Sequence, residues 1–323
     1  MRFDQRVYAW MLLGLCLASI PCAFISQKDN DKDKSSSSGF MSRFNDHIQI
    51  VRLSGMIIDK TEAGLLSSKT GASMSVLKEL KEALKDDNTK AVLLRINSPG
   101  GTVPTSQELH QAVVNLKKAG KPVVISMGDL AASGGYYIAC AGDKIYANPG
   151  TLTGSIGVIM NLMNFKDLTG KLGVNPVTIK SGKFKDIASP YREMTPEDRE
   201  ILTNLIMDSY DQFTRAVADG RKMPLDKVKT LADGRIYSGR QAKKVGLVDE
   251  LGSMTDALAD LQSICRKKYD LDNDLAVQDQ DSQSILANLL ESRTAIENKL
   301  DLQKLLPSQL VSNLSNQPLW LYQ

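Results

Sequence analysis

The stretch Ala131-Ala132-Ser133-Gly134-Gly135-Tyr136-Tyr137 sets a hydroxyl between two alanines and two glycines. Small neighbours let a substrate carbonyl or a second backbone approach Ser133, and Gly134 leaves an amide unshielded beside it. To act as a nucleophile, a serine needs a base to take its proton and donors for the oxyanion that its attack creates. Gly134 supplies one donor, at what reads as a helix N-terminus, and the pair Gly100-Gly101 supplies another from a neighbouring loop. The base is harder to find. Only two histidines, His47 and His110, occur in 323 residues, and neither has a second His or Cys at metal-ligand spacing. His110 falls in a surface-type helix. A lysine serves as base when burial leaves it neutral at working pH. Lys144, Lys180, Lys183 and Lys185 all qualify by residue type, and residue chemistry alone does not choose among them.

The elements that would position these groups follow from apolar periodicity. Ile48-Gln-Ile-Val-Arg-Leu53 reads as a strand, 75–85 as a helix, and 91–96 as a continuous apolar strand ending at Asn97-Ser98-Pro99-Gly100-Gly101. A helix over 105–118 is stopped by Gly120, and 122–126 is the next strand, before the Ser133 stretch and a helix that runs to Cys140. Another short strand covers 144–147. A loop and strand occupy 151–160, a strand 177–180, and a polar loop with Lys183 and Lys185 spans 181–191. Helices follow over 196–220, where Ile201, Leu202, Leu205, Ile206 and Phe213 form the apolar face, and over 225–231, 239–245 and 254–265. Strands of buried type alternating with helices predict an α/β domain with a mainly parallel sheet. In such sheets function gathers at loops beyond the strand C-termini, which is where Gly100, Gly101 and Ser133 all fall.

Outside this domain, residues 1–6 carry two arginines and 7–25 form an uncharged, mostly apolar run long enough to cross a bilayer. No small-x-small cleavage site follows it, which favours an uncleaved anchor with the N-terminus in the cytoplasm and the body outside. Residues 26–46 are a polar linker with four consecutive serines, 47–265 the globular domain, and 266–323 an accessory tail with an amphipathic helix. Forty basic and 37 acidic residues are too evenly balanced for nucleic acid to be the main partner. The four cysteines outline neither a disulfide framework nor a zinc site, and nothing calls for a cofactor.

Several ordered motifs resemble the SppA family of signal peptide peptidases. They are Asn97-Ser-Pro-Gly-Gly101, Ser126-Met-Gly128, Ala131-Ala-Ser-Gly-Gly-Tyr-Tyr137, Leu152-Thr-Gly-Ser-Ile-Gly157 and Ser181-Gly-Lys-Phe-Lys-Asp186. Ser189-Pro190, Asp233-Gly-Arg-Ile-Tyr-Ser-Gly-Arg-Gln-Ala242 and Gly246-Leu-Val-Asp-Glu-Leu-Gly252 continue the match. The resemblance covers about 48–262 and implies a Clp-protease/crotonase-like fold carrying a Ser–Lys dyad. Ser133 is then the nucleophile and Lys185 the general base, with Lys183 the rival. Gly100 or Gly101, with Gly134, is the oxyanion hole. The resemblance also implies anchoring in the bacterial cytoplasmic membrane with the catalytic domain outside the cytoplasm. Released signal peptides or other hydrophobic peptides are the implied substrates. A homo-oligomeric ring follows too, in which Ser133 and Lys185 need not meet within one chain. Two other classes share such a fold: a crotonase-like acyl-CoA enzyme, which needs carboxylates as acid and base, and a membrane scaffold that has lost catalysis.

Overall fold

Strands with apolar side chains on both faces must be covered on both sides, and that requirement sets the architecture. The computed structural model describes residues 46–59, 61–64, 67–70 and 72–279. The expected anchor at 7–25, nearly all of the linker, and the tail from 280 onward lie outside the described residues. In chain order the elements are β1 (His47–Ser54), the hairpin strands β2 (Thr61–Gly64) and β3 (Ser67–Thr70), α1 (Ala72–Lys85), β4 (Thr89–Ser98), α2 (Val103–Lys118), β5 (Val123–Ala132) and α3 (Gly134–Ala139). There follow β6 (Lys144–Ala147), β7 (Leu152–Gly154), α4 (Lys166–Lys171), α5 (Pro196–Arg221), α6 (Leu225–Leu231), β8 (Ile236–Ser238), α7 (Gly239–Val245), β9 (Glu250–Leu251), α8 (Met254–Tyr269) and β10 (Ala276–Asp279).

The main sheet runs β10-β1-β4-β5-β6-β9, parallel at every step, with β7 added beside the end of β5 and β8 antiparallel to β7. The expected α/β class with a mainly parallel sheet is what forms. Side chains alternate across it. Val51, Leu53, Val92, Leu94, Val123 and Ile125 enter the core beneath α1 and α2, whereas Ile48, Ile50, Ala91, Leu93 and Val124 pack with Ala257, Leu261 and Cys265 of α8.

Several stretches depart from the sequence expectation, most of them because a strand needs a partner that local sequence does not reveal. Strand β5 continues past Ser126 to Ala132, because β7 lies beside its last three residues. Residues 158–160 and 177–180 form no strand. Val177 and Ile179 are almost fully exposed, with no sheet edge to receive them among the described residues. Helix α8 runs on to Tyr269 and β10 pairs with β1, so sheet and core take in residues beyond 265, where the peptidase domain was expected to end. The N-terminal half of α5 is also less buried than its apolar face suggested: Phe213 and Val217 are covered, but Ile201 and Leu205 are exposed.

The segment behind Ser133 is fixed by Tyr136, which is fully buried and donates from its hydroxyl to the Leu247 carbonyl at 2.9 Å. That bond ties α3 to the loop after α7. Removing the hydroxyl leaves a buried carbonyl unsatisfied, so Tyr136→Phe should lower stability by about 1–2 kcal/mol in urea denaturation, with an unchanged slope.

Candidate active site

The two loops that carry Ser133 and the glycine pair meet at the C-terminal edge of β4 and β5. Ser133 caps α3 with φ 51° and ψ −121°. This is a conformation that residues with a Cβ seldom adopt, and it costs on the order of 1–3 kcal/mol. Its backbone is clamped from both sides: the Ser133 amide donates to the Gly154 carbonyl at 2.9 Å, and the Tyr137 amide to the Ser133 carbonyl at 2.9 Å. Strand β7 supports it from beneath, with Thr151 and Thr153 hydroxyls donating to the Gly128 and Ala131 carbonyls, each at 2.7 Å. Asn97, at the head of the glycine-rich motif, accepts from the Leu130 amide at 3.1 Å and so ties the end of β4 to β5.

The glycines are there because the loops touch. Gly100 has φ +104°, and a methyl on it would lie 2.7 Å from the Gly134 nitrogen and 2.9 Å from the Ser133 Cβ. A methyl on Gly101 would overlap the Ile57 carbonyl. The amides separate the two glycines. Gly100 donates to the Ser98 hydroxyl at 3.1 Å, whereas the Gly101 and Gly134 amides have no acceptor among the described residues. A Cβ at Gly134 would sit 3.2 Å from the Gly101 nitrogen, so these two free donors are close neighbours. They are the pair that can receive an oxyanion. Gly100 serves by leaving room.

Ser133 opens onto a cleft of about 690 Å³. Met56, Ile58, Val103, Val158 and Ile159 give it apolar walls, and Tyr137 and Phe213 meet edge to face at 5.1 Å along one side. A second hydroxyl, Ser155, also lines it in a left-handed conformation with φ 49°, its amide donating to the Arg235 carbonyl at 2.8 Å. Sequence reading did not single Ser155 out. The available signal was its setting between Gly154 and Gly157, the same small-neighbour pattern that drew attention to Ser133. A hydroxyl there can exchange hydrogen bonds with an amine that enters the cleft.

None of the four candidate lysines lines the cleft. Lys144 pairs in register with Val124, nine residues before Ser133 along β5, or about 30 Å at ~3.3 Å per residue, and bonds Asp260 at 2.8 Å. It belongs to the other end of the sheet. Lys180 is paired with Asp186 at 2.7 Å and Lys183 with Glu197. Lys185 is exposed and, among the described residues, has no ion-pair partner. The histidines are elsewhere as well. His47 bonds Thr89 at the start of β1, and His110 stacks on the Tyr137 ring at 4.7 Å, behind the cleft wall. Burial, with Lys117 nearby, pushes His110 down to about 4, so it is neutral at pH 7.

A model of the family described as Peptidase family S49 matches residues 115–267, and one described as Clp protease matches residues 60–152. A Synechocystis protein provisionally named a protease is 42% identical over 260 residues, covering 78% of this chain and 91% of that protein. The chain belongs to peptidase family S49. A protein of Enterococcus faecium provisionally named signal peptide peptidase SppA is 43% identical over 216 residues, 66% of this chain and 63% of its own length. Protease 4 of Salmonella typhi is 34% identical over 270 residues, 82% of this chain and 42% of that protein. The chain thus spans a little under two thirds of the Enterococcus relative and about two fifths of the Salmonella one. The S49 and Clp matches agree with the expected SppA resemblance and with a Clp-protease/crotonase-like α/β fold.

Two outcomes follow from this geometry. Gly100→Ala should cut the rate at which a serine-directed phosphonate labels the protein by at least tenfold, because the added methyl crowds Gly134, while circular dichroism stays native. Burial raises the Cys140 and Cys265 thiols to about 12 and about 11. Iodoacetamide at pH 8 should therefore leave both unmodified in peptide maps until denaturant is added.

Proposed function

We propose that this chain is a membrane-anchored serine endopeptidase of the SppA type that degrades released signal peptides or similar hydrophobic peptides through a Ser133–Lys185 dyad. One observation carries the reading: a strained serine stands beside two unpaired amides, Gly101 and Gly134, at the rim of an apolar cleft. That is the equipment for acyl transfer. Ser133 Oγ attacks the peptide carbonyl, Lys185 takes the proton, and the two amides receive the oxyanion. The lysine ammonium then gives its proton to the leaving amine. Water, with Lys185 again as base, hydrolyses the ester to release the second product.

Lys185 is exposed and is not among the residues that line the cleft of its own chain, so we place the dyad between subunits of a ring. The exposed apolar side chains that flank it support this. Ile159, Met163, Leu172, Val177, Ile179 and Leu205 are each between about half and fully exposed along 159–205, a far larger apolar display than scattered surface residues provide. A neighbouring copy that covers this arm would carry Lys185 toward the next cleft and remove it from water, as a neutral lysine base requires. Among the described residues no helix is long and apolar enough to cross a membrane. The anchor we assign is the apolar run at 7–25, in the bacterial cytoplasmic membrane with the catalytic domain outside the cytoplasm. A crotonase-like acyl-CoA enzyme is disfavoured by the cleft lining, which among the described residues holds no carboxylate to serve as acid or base. The inactive scaffold predicts no adduct on Ser133.

Ser133→Ala and Lys185→Ala should each lower hydrolysis of an apolar reporter peptide by about 10²–10⁴-fold while the protein stays folded. Co-assembly of the two inactive variants should restore part of the activity, because some interfaces then pair an intact serine with an intact lysine. A fully active Lys185→Ala protein would remove Lys185 from the mechanism, and Lys183→Ala would be assayed next. If the wild-type protein takes up no phosphonate yet retains CoA, the acyl-CoA reading replaces this one.

A further inference from the structure

The loop that bears Lys185 is held by side chains that the dyad itself does not require. Arg192 is mostly covered and lays its guanidinium against Asp186, the residue directly after Lys185. Nε and Nη2 donate to the two carboxylate oxygens at 3.0 and 3.1 Å, and Nη2 also donates to the Asp186 carbonyl at 3.2 Å. The other branch, Nη1, bonds the Asp198 carboxylate. Asp198 is buried at the third position of α5, where it accepts from the Thr195 amide at 3.0 Å in a reciprocal cap. From the opposite side Lys180 reaches back to the Asp186 carboxylate at 2.7 Å and to the Lys183 carbonyl at 3.0 Å. Residues 180–186 are thus closed into a ring of contacts, and Arg192 rivets that ring to the end of a 26-residue helix.

The chemistry of the clamp is asymmetric. A planar guanidinium fork fixes both the distance and the orientation of a carboxylate, which an ammonium does not. Arg192 and Lys180 hold the Asp186 carboxyl down at about 2, and Arg192 holds Asp198 below the ordinary carboxylate range, so both carboxylates stay charged well into acid. Within this ring Lys185 is the lysine left without a carboxylate, because Lys180 and Lys183 are paired with Asp186 and Glu197. The gripped groups, the Asp186 carboxylate and the Asp186 carbonyl, belong to the residue directly after Lys185. An exposed four-carbon side chain that must meet a serine gains little from a base position that wanders, and misplacement by about 1 Å costs on the order of 10²-fold in rate.

We propose that Arg192 is a positioning residue for the reaction: by bridging Asp186 to Asp198 at the start of α5, it sets the direction from which Lys185 leaves its loop. This rests on Lys185 being the base, and the experiment separates the two ideas. Full-length Arg192→Ala, Arg192→Lys, Asp186→Asn and Lys185→Ala proteins are compared for kcat and KM on an apolar peptide, for the rate of phosphonate labelling at Ser133, and for melting temperature. Arg192→Ala should lose about 10²-fold in kcat and labelling rate with KM within threefold of wild type. Guanidinium ion added at tens of millimolar should restore at least a tenth of the lost rate to Arg192→Ala and none to Lys185→Ala. Arg192→Lys should fall between. The Arg192→Ala/Asp186→Asn double variant should be no worse than either single one, because both break the same contact. Wild-type kcat and labelling in Arg192→Ala beside an inactive Lys185→Ala would overturn the positioning role and leave the dyad standing. A loss in Arg192→Ala that follows melting temperature and ignores guanidinium would reduce Arg192 to a structural staple. An active Lys185→Ala protein would dismiss the base assignment and the positioning role together.

Discussion

The site depends on one close approach, the backbone of the Gly100-Gly101 turn against the backbone of Ser133-Gly134. Two parallel strands end side by side there, and the chains that leave them come nearer than any Cβ would permit. Only because of that contact do the Gly101 and Gly134 amides become neighbours, and only because Ser133 accepts an unfavourable φ does its hydroxyl stand beside them. Much of the surrounding order reads as support for this pair of turns. Asn97 bridges the strand ends, β7 braces the underside, and Tyr136 pins the helix that follows. The strain at one serine is small beside the burial of the parallel sheet that holds it, so the fold tolerates it.

A different balance governs the arm between β7 and α5. Here the chain exposes apolar side chains such as Ile159, Val177 and Ile179, and charged groups do the work of shaping it. Arg192, Asp186, Asp198 and Lys180 form a compact network where packing is thin. Charge-assisted hydrogen bonds have direction, so they can define a loop that lacks a core. The cleft is built by backbone contact at the strand ends, and the loop that carries Lys185 by a side-chain clamp. That division fits the proposal that Ser133 and Lys185 meet between copies.

The residues themselves carried much of this. The unbroken apolar run at 91–96 marked a strand covered on both faces, and Lys144–Ala147, Leu225–Leu231 and Gly239–Val245 form with the bounds that their punctuation suggested. Pro196 after Thr195 opened the long helix where a proline at the first turn belongs. The misses share a cause. Met127-Gly128-Asp129 reads as a loop, yet it is strand, because β7 and the Thr151 hydroxyl supply partners more than twenty residues away. Residues 177–180 have strand composition and, among the described residues, no edge to join, while the polar stretch at 276–279 becomes a strand because it pairs with β1.

By itself the sequence determined the class of fold, the placing of Ser133 and the glycines at the ends of parallel strands, and the shortage of histidine. These are properties of residue type and local spacing, and local spacing is what a linear chain records. Tertiary structure decided which glycine amide is free, since Ser98 takes that of Gly100 and leaves that of Gly101. It decided that Lys144 is at the wrong end of the sheet and that Lys180 and Lys183 are already paired. It also revealed Ser155 in the cleft and the guanidinium clamp behind Lys185. Each of those outcomes turns on which groups meet across long stretches of chain, and a hydrogen bond made with one partner is no longer offered to another.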